Sequence, residues 1–461
     1  MKTIPARTWR HRDHLVEWLS GAWRWVLFAL GMAFAVYLLL DRGIPNASLV
    51  ALVIALLLIG AVLTPSAPFA IALISVPGLF VTQRIGLGGG DLSVSDAALA
   101  AAFGTALLLG HRPYSPPLRA LLWFNLFYQF TTIFTVIVNP AITNTVEWFH
   151  AWLLVSGALI AGWALGRAGL ARTVFATMVV VTVFIAFGTY ATGLLAYARG
   201  DFGPVYPSWP LELHKNAAGS LLAFGAIIAF VKPDWLRWPK GWTRLAFVFL
   251  VGAVVLTQAR QAIIGLAVAL IFVVLRRGVT THVVLTILLA MPAAWLIVLT
   301  VIEQIDSQNQ FNSYYQRVDW LREVYALWKI SPVFGHGLRY WYGGIGANFQ
   351  PPQAEVEVVA SAGVVGLIGF IVMWIGVLVI LWRVDPRFGT LAFAAVVSRI
   401  VAAQFDLFWV AAQVSIPFVI AGICLGAMAQ ADDPAPDGKN RRPRARRVTG
   451  TASRTPSWRS I

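Results

Sequence analysis

Residues 245–277 read LAFVFLVGAVVLTQARQAIIGLAVALIFVVLRR. Two apolar runs flank one polar turn, TQARQ, and the second run stops at a pair of arginines. Neither run alternates as a half-buried strand would. Back-to-back apolar runs of roughly 16 residues, punctuated by a polar turn and closed by cations, fit a chain that crosses a membrane and turns back.

The same pattern recurs outward in both directions. The chain is 59% hydrophobic and only 12% charged, with a mean hydropathy of +0.74; a soluble domain carries about 25% charged residues. Lipid offers no hydrogen-bond partners, so spanning segments must be helices or a closed barrel. Runs of roughly 16–22 residues select helices. About fourteen spans (12–14) are predicted, near 24–40, 46–63, 67–82, 93–110, 118–138, 146–166, 171–193, 216–231, 243–258, 261–276, 282–302, 355–382, 388–405 and 407–429. The expected fold is all-α, a polytopic transmembrane helical bundle with one long extracytoplasmic loop carrying short helices.

Charge placement orients it. The formal charge is +15, and most Lys and Arg side chains fall on one side if the N-terminus is cytoplasmic, as the positive-inside rule requires. The basicity therefore argues orientation and not nucleic-acid binding. Five regions are expected: a cytoplasmic segment over 1–23, transmembrane helices over 24–302, an extracytoplasmic catalytic loop over 303–353, transmembrane helices over 354–429, and a disordered basic cytoplasmic tail over 430–461. The tail is rich in Pro, Arg and Ser, too poor in apolar side chains to fold, and suited to anionic membrane lipids. Cys424 is the one cysteine, so disulfides and thiolate metal sites are excluded.

Four places hold residues fit for chemistry. Arg260, in the TQARQ turn, puts a guanidinium near hydrocarbon, where it needs an anionic partner or wet surroundings; it equally fits an arginine snorkelling to the interface. In LHKNAAG, Lys215 brings a cation to a helix start whose free N–H groups favour anions. His214 there is placed to cap, titrate or touch substrate, and Asn216 to cap; an ordinary capped helix end explains them as well.

The long polar stretch 311–344, FNSYYQRVDWLREVYALWKISPVFGHGLRYWYGG, is the third. Val318, Leu321, Val324, Tyr325 and Trp328 recur at helical spacing, so Tyr314–Lys329 is expected to be an amphipathic helix at the membrane surface. Arg317, His336, Arg339, Tyr340 and Trp341 suit a sugar diphosphate: aromatics stack on sugar faces, arginine binds phosphate, histidine moves protons. Fourth, Glu355 and Glu357 open the next span. They serve either to complement the helix dipole or as a general base. Arg399, Gln404, Asp406 and Gln413 are intramembrane polar candidates, with an Arg399–Asp406 structural pair as the plainer reading. No metal-binding or nucleotide-binding motif is present.

These elements together resemble the O-antigen ligase and O-antigen polymerase family. LTQARQAIIGL looks like its LTxSRgA element, YYQRVDWLREVYALWKISPVFGHGL like its arginine-tryptophan-PlfGxG element, HKNAAG like its hKNxxG span start, and AGVVGL like its closing tGilGl. The resemblance implies a metal-independent, cofactor-free inverting membrane glycosyltransferase in the bacterial plasma (inner) membrane. The donor it implies is a glycan carried on undecaprenyl diphosphate, with a glycan or glycolipid acceptor. It implies that Arg260 contacts the diphosphate, with Lys215, Arg317 and Arg339 as helpers.

The chain departs from the family at one place. Where the family has HNxxLxxLxExG, with the His taken as base, Pro352 stands at the His, Gln353 at the Asn and Ser361 at the Glu. Glu355 is then the first choice for base, His336 the second, with Glu357 beside them. His214, Asn216, Tyr340 and Trp341 are expected to line the substrate. Two other classes stay open: a transporter of a polar solute, which would want charges near the bilayer midplane, and a catalytically inactive family member acting as a binding subunit.

Overall fold

A computed structural model describes residues 75–87, 90–109, 112–277, 313–341 and 350–433. The expected cytoplasmic segment, the spans near 24–40, 46–63 and 282–302, the loop residues 303–312 and most of the basic tail lie outside the described residues.

The described chain is helical apart from one hairpin. Strands β1 (Arg84–Leu87) and β2 (Gly90–Ser93) pair antiparallel, where the sequence reading expected only a link between helices. The helices follow as α1 (Val94–Leu109), α2 (Pro116–Val138), α3 (Ile142–Trp152), α4 (Ala158–Arg167), α5 (Ala171–Ala198), α6 (Lys215–Val231), α7 (Lys240–Thr257), α8 (Arg260–Arg277), α9 (Ser313–Ile330), α10 (Ala354–Arg383), α11 (Pro386–Ala402) and α12 (Ala411–Asp432). A π-helical turn, Leu153–Gly157, joins α3 to α4 into one span. Among the described residues six helices are long and apolar enough to cross a membrane: α2, α3–α4, α5, α7, α10 and α12. α1 and α6 are shorter apolar helices. The polar turn in 245–277 is real: Gln258 closes α7 in the left-handed conformation at φ 50°, and α8 begins two residues later.

Lipid gives helices no hydrophobic reason to associate with one another, so small residues that permit close backbone approach drive their packing. The α4–α12 pair shows this. A Cβ on Gly162 would lie 2.2 Å from the Val419 carbonyl oxygen, and one on Gly422 would lie 2.3 Å from that of Leu159. Gly166 and Gly426, one turn on, are equally tight. α2 packs on α10 and α8 on α11, and α12 is buried along most of its length.

The bundle has two chemically different ends. At one, arginines donate to carbonyls left unpaired where helices stop. Arg276 Nη1 donates to Leu381 O at 3.2 Å and its Nη2 to Trp382 O at 2.7 Å; Arg277 donates to Val231 O. Arg167 pairs with Asp433 at 2.6 Å. The opposite end gathers the starts of α1, α3, α6, α8, α10 and α12 with helix α9, the 331–341 loop and the α11–α12 connector. All of the candidate catalytic and binding residues lie there, together with the connector residues Gln404 and Asp406.

Candidate functional site

The four family-like sequence elements pack against one another in two pairs. HKNAAG meets the TQARQ turn: a Cβ on Gly219 would lie 2.6 Å from Ala259 Cβ and 3.0 Å from Ala262 Cβ, so α6 and the start of α8 are held in close contact. PVFGHG meets ASAGVVG. Gly363 breaks α10 at φ 66°, ψ −169°, a conformation essentially restricted to glycine. The break frees α10 to bind the loop. His336 N donates to Ala360 O at 3.1 Å, Gly337 N to Ser361 O at 2.9 Å, and Val364 N to Pro332 O at 2.9 Å. Gly335 and Gly363 both sit where an added Cβ would strike opposing backbone.

The first pairing builds a cationic cluster. Lys215 is the first residue of α6 and Arg260 the first of α8. A helix N-terminus carries partial positive charge, so both cations stand where their own helix disfavours them. Arg317, on α9, donates to Phe405 O at 3.3 Å. Burial holds its guanidinium below its ordinary value; Arg260 pushes the same way and Asp406 opposes. Asn216 Nδ2 donates to Asp406 Oδ1 at 3.1 Å. His214 is the N-cap of α6: its Nδ1 accepts from Asn216 N at 3.3 Å. The sequence assigned that cap to Asn216 as well, whose side chain is instead turned to Asp406. Burial, helped by the Lys215 ammonium, holds the His214 imidazole below its ordinary value, with Asp406 opposing. Asp406 is pushed up by burial, against the pull of Arg399, the Leu407 amide, Asn216 and His214.

Glu355 adjoins this cluster through the α11–α12 connector. Gln404 Nε2 donates to Glu355 Oε1 at 2.8 Å, and Ala354 N donates to Ala403 O at 3.0 Å. Glu355 Oε2 is buried with no hydrogen-bond partner among the described residues. Glu357 is held at both oxygens: Gln350 Nε2 donates to Oε1 at 2.8 Å, and Phe408 N to Oε2 at 3.5 Å. Arg399, 1% exposed, braces the same connector. It donates to Gln413 Oε1 at 2.8 Å and to the carbonyls of Leu407 and Phe408, and its charge pulls on the Asp406 carboxyl.

A second polar cluster forms on the far side of the connector, and the sequence reading missed it. His150 Nε2 lies 2.9 Å from Asp96 Oδ1, and its Nδ1 lies 3.3 Å from Glu147 Oε1. Arg339 Nη1 donates to Glu147 Oε2 at 2.8 Å, so Arg339 is engaged in this cluster. Asn144 Oδ1 accepts from Arg339 N at 2.9 Å, which ties the loop to α3. The cluster borders a cavity of about 150 Å³ that reaches Trp409 on the connector and Ser93 and Ser95 at the hairpin's end. Asp96 and His150 carried no motif, being 54 residues apart; only the Glu147–His150 spacing of one helical turn hinted at a pair.

The remaining candidates are positioned as follows. His336 Nε2 donates to Leu327 O at 2.7 Å, pinning α9 to the loop, and its ring lies 5.1 Å from that of Tyr340. Tyr340 meets Trp341 edge-on at 5.2 Å, and Trp341 Nε1 is buried without a partner among the described residues. No group of three or more His, Cys, Asp or Glu among the described residues is placed to hold a metal ion.

Residues 245–371 match the family model described as O-antigen ligase. The match spans the TQARQ turn, α9, the 331–341 loop and the broken part of α10, and so includes Arg260, Arg317, His336, Arg339, Glu355 and Glu357. No curated protein matches the chain. Over residues 245–371 the chain is similar to the O-antigen ligase family, and among the described residues it carries six helices long and apolar enough to cross a membrane.

Proposed function

We propose that this chain transfers or polymerises a glycan carried on undecaprenyl diphosphate at the outer face of the bacterial plasma membrane. The observation that carries the reading is the meeting of two helix starts, each opening on a cation, with Arg317 as a third. Such an array is electrostatically unfavourable when empty and complementary to a diphosphate when filled. The opposite, arginine-rich end fits the cytoplasmic side by the positive-inside rule.

In the mechanism, Glu355 takes the proton of an acceptor hydroxyl. Gln404 fixes one of its oxygens and leaves the other to accept, which a general base requires. The acceptor oxygen bonds to the anomeric carbon as the bond from that carbon to the phosphate oxygen breaks. The electron pair leaves on the diphosphate, and the anomeric centre inverts. Arg260, Lys215 and Arg317 stabilise the charge that grows on the leaving group. His214 and Asn216 border that group, and Asn216 restrains Asp406, whose negative charge would otherwise compete for the cations. His336, Tyr340 and Trp341 shape the loop beside the site.

Cells carrying Arg260→Ala or Glu355→Gln should make truncated or no surface polymer and accumulate lipid-linked units, at wild-type protein levels. Unchanged glycans with altered uptake of a polar solute would overturn the enzyme in favour of a transporter.

A further inference from the structure

We infer that the cavity bordered by Asp96, Glu147, His150 and Arg339 is a subsite for a single sugar ring of the acceptor. The inference rests on the glycan-transfer reading above and adds a second binding place to it. Four ionisable groups meet there, with Asp96 4% and Glu147 6% exposed. Both nitrogens of His150 face carboxylate oxygens. With Arg339 on the other oxygen of Glu147, two cations balance two anions.

A neutral quartet of this kind has no reason by itself to adjoin an open space, since burying it fully or solvating it fully would serve stability as well. Here it borders a partly open cavity of about 150 Å³, a volume that takes a benzene-sized ring. The rest of the wall suits a pyranose. Ser93 and Ser95 bring hydroxyl groups. Trp409 brings an indole whose ring stacks on Tyr128 at 5.8 Å, fixing its plane. Hydroxyls, carboxylates and a guanidinium satisfy sugar hydroxyls as both donors and acceptors, and an indole covers an apolar sugar face.

The position supports the assignment. The cavity wall includes Trp409, and residues 404–406 of the same connector border the Arg260 cluster and Glu355. Gln350 lines the cavity and also donates to Glu357. A sugar seated here would approach the donor from across one short segment of chain.

The test uses the full chain in lipid nanodiscs and two probes that do not require turnover. Thermal stabilisation by glucose, galactose, mannose and N-acetylglucosamine reads the cavity; stabilisation by inorganic pyrophosphate reads the cationic cluster. At least one sugar should saturate in the millimolar range. Ala411→Phe, which fills the cavity from its wall and removes no charge, should weaken that sugar at least tenfold and leave pyrophosphate unchanged. His150→Gln should weaken the sugar in the same way; if it does not fold, Ala411→Phe decides alone. Sugar binding that survives Ala411→Phe, or no sugar binding beside intact pyrophosphate binding, overturns the subsite. Sugar binding without pyrophosphate binding leaves the subsite standing and sinks the diphosphate reading instead.

Discussion

Helix α8 begins and ends on arginine, and its two ends behave oppositely. At its C-terminus Arg276 and Arg277 donate to carbonyls of Leu381, Trp382 and Val231, where helix dipole and hydrogen-bond inventory both favour a cation. At its N-terminus Arg260 is exposed and adds positive charge to a positive helix end, beside Arg317 and close to the α6 start with Lys215. The same residue type in the same helix is structural where it completes local bonds and points to a ligand where it opposes them. Composition counts both alike; only position along the helix separates them.

The contrast is open to attack, beginning with its largest consequence. Arg260→Ala should lower glycan transfer by a factor of about 10² or more, as loss of a charge-stabilising donor does. Its melting temperature should hold or rise slightly, since the change removes an unfavourable cation from a helix start. A fall in both would make Arg260 a structural residue like Arg276. Gly219→Leu should give a similar functional defect with every charge retained. The larger side chain pushes α6 off Ala259 and Ala262, separates Lys215 from Arg260, and costs about 1–3 kcal/mol of stability by overpacking.

Arg276→Ala should do the reverse of Arg260→Ala. It orphans carbonyls at the end of α10 and should cost about 1.5 kcal/mol, read by thermal or denaturant unfolding, while transfer per folded molecule stays at the wild-type rate. The smallest effect concerns pH. Asp406 is pushed up by burial, and His214 is held low chiefly by burial. As pH rises above the ordinary aspartate range, near 3.8, Asp406 ionises and competes for Arg317. Pyrophosphate affinity should therefore fall with rising pH by a few-fold. Asp406→Asn should bind more tightly and lose the Asp406 part of that slope; a slope steeper than wild type would contradict the assignment. Stability follows the same sign for Asp406, whose folded form holds its proton more firmly, so its contribution is lost as pH rises through the raised value.

Much of the helical layout was legible because its signals are local. Apolar runs ended by Gln258, by the Arg276–Arg277 pair or by Asp385 and Pro386 map directly onto α7, α8 and α10, and the amphipathic spacing of Val318 to Trp328 became α9. The fourteen expected spans compare with six long apolar helices among the described residues. The hairpin at Arg84–Ser93 was not read, because GLGGGDLS offers glycine and no alternating apolar face. Arg260, Lys215 and Arg317 were recognised singly from charge in apolar surroundings. Asp96, Glu147 and His150 were not, because a polar residue early in an apolar helix looks the same whether it faces lipid headgroups or another side chain.

What the sequence determined by itself is therefore the set of helices, where they turn, and which turns carry cations, since hydrophobic run length and helix punctuation act within a few residues. Which polar groups meet was decided only in three dimensions. Close approach at Gly219 and the break at Gly363 bring separated segments together. Burial then forces each charged group to find a partner: Arg339 takes Glu147, and Asn216 takes Asp406. Those pairings depend on distances between chain segments up to 192 residues apart, a quantity no local pattern encodes.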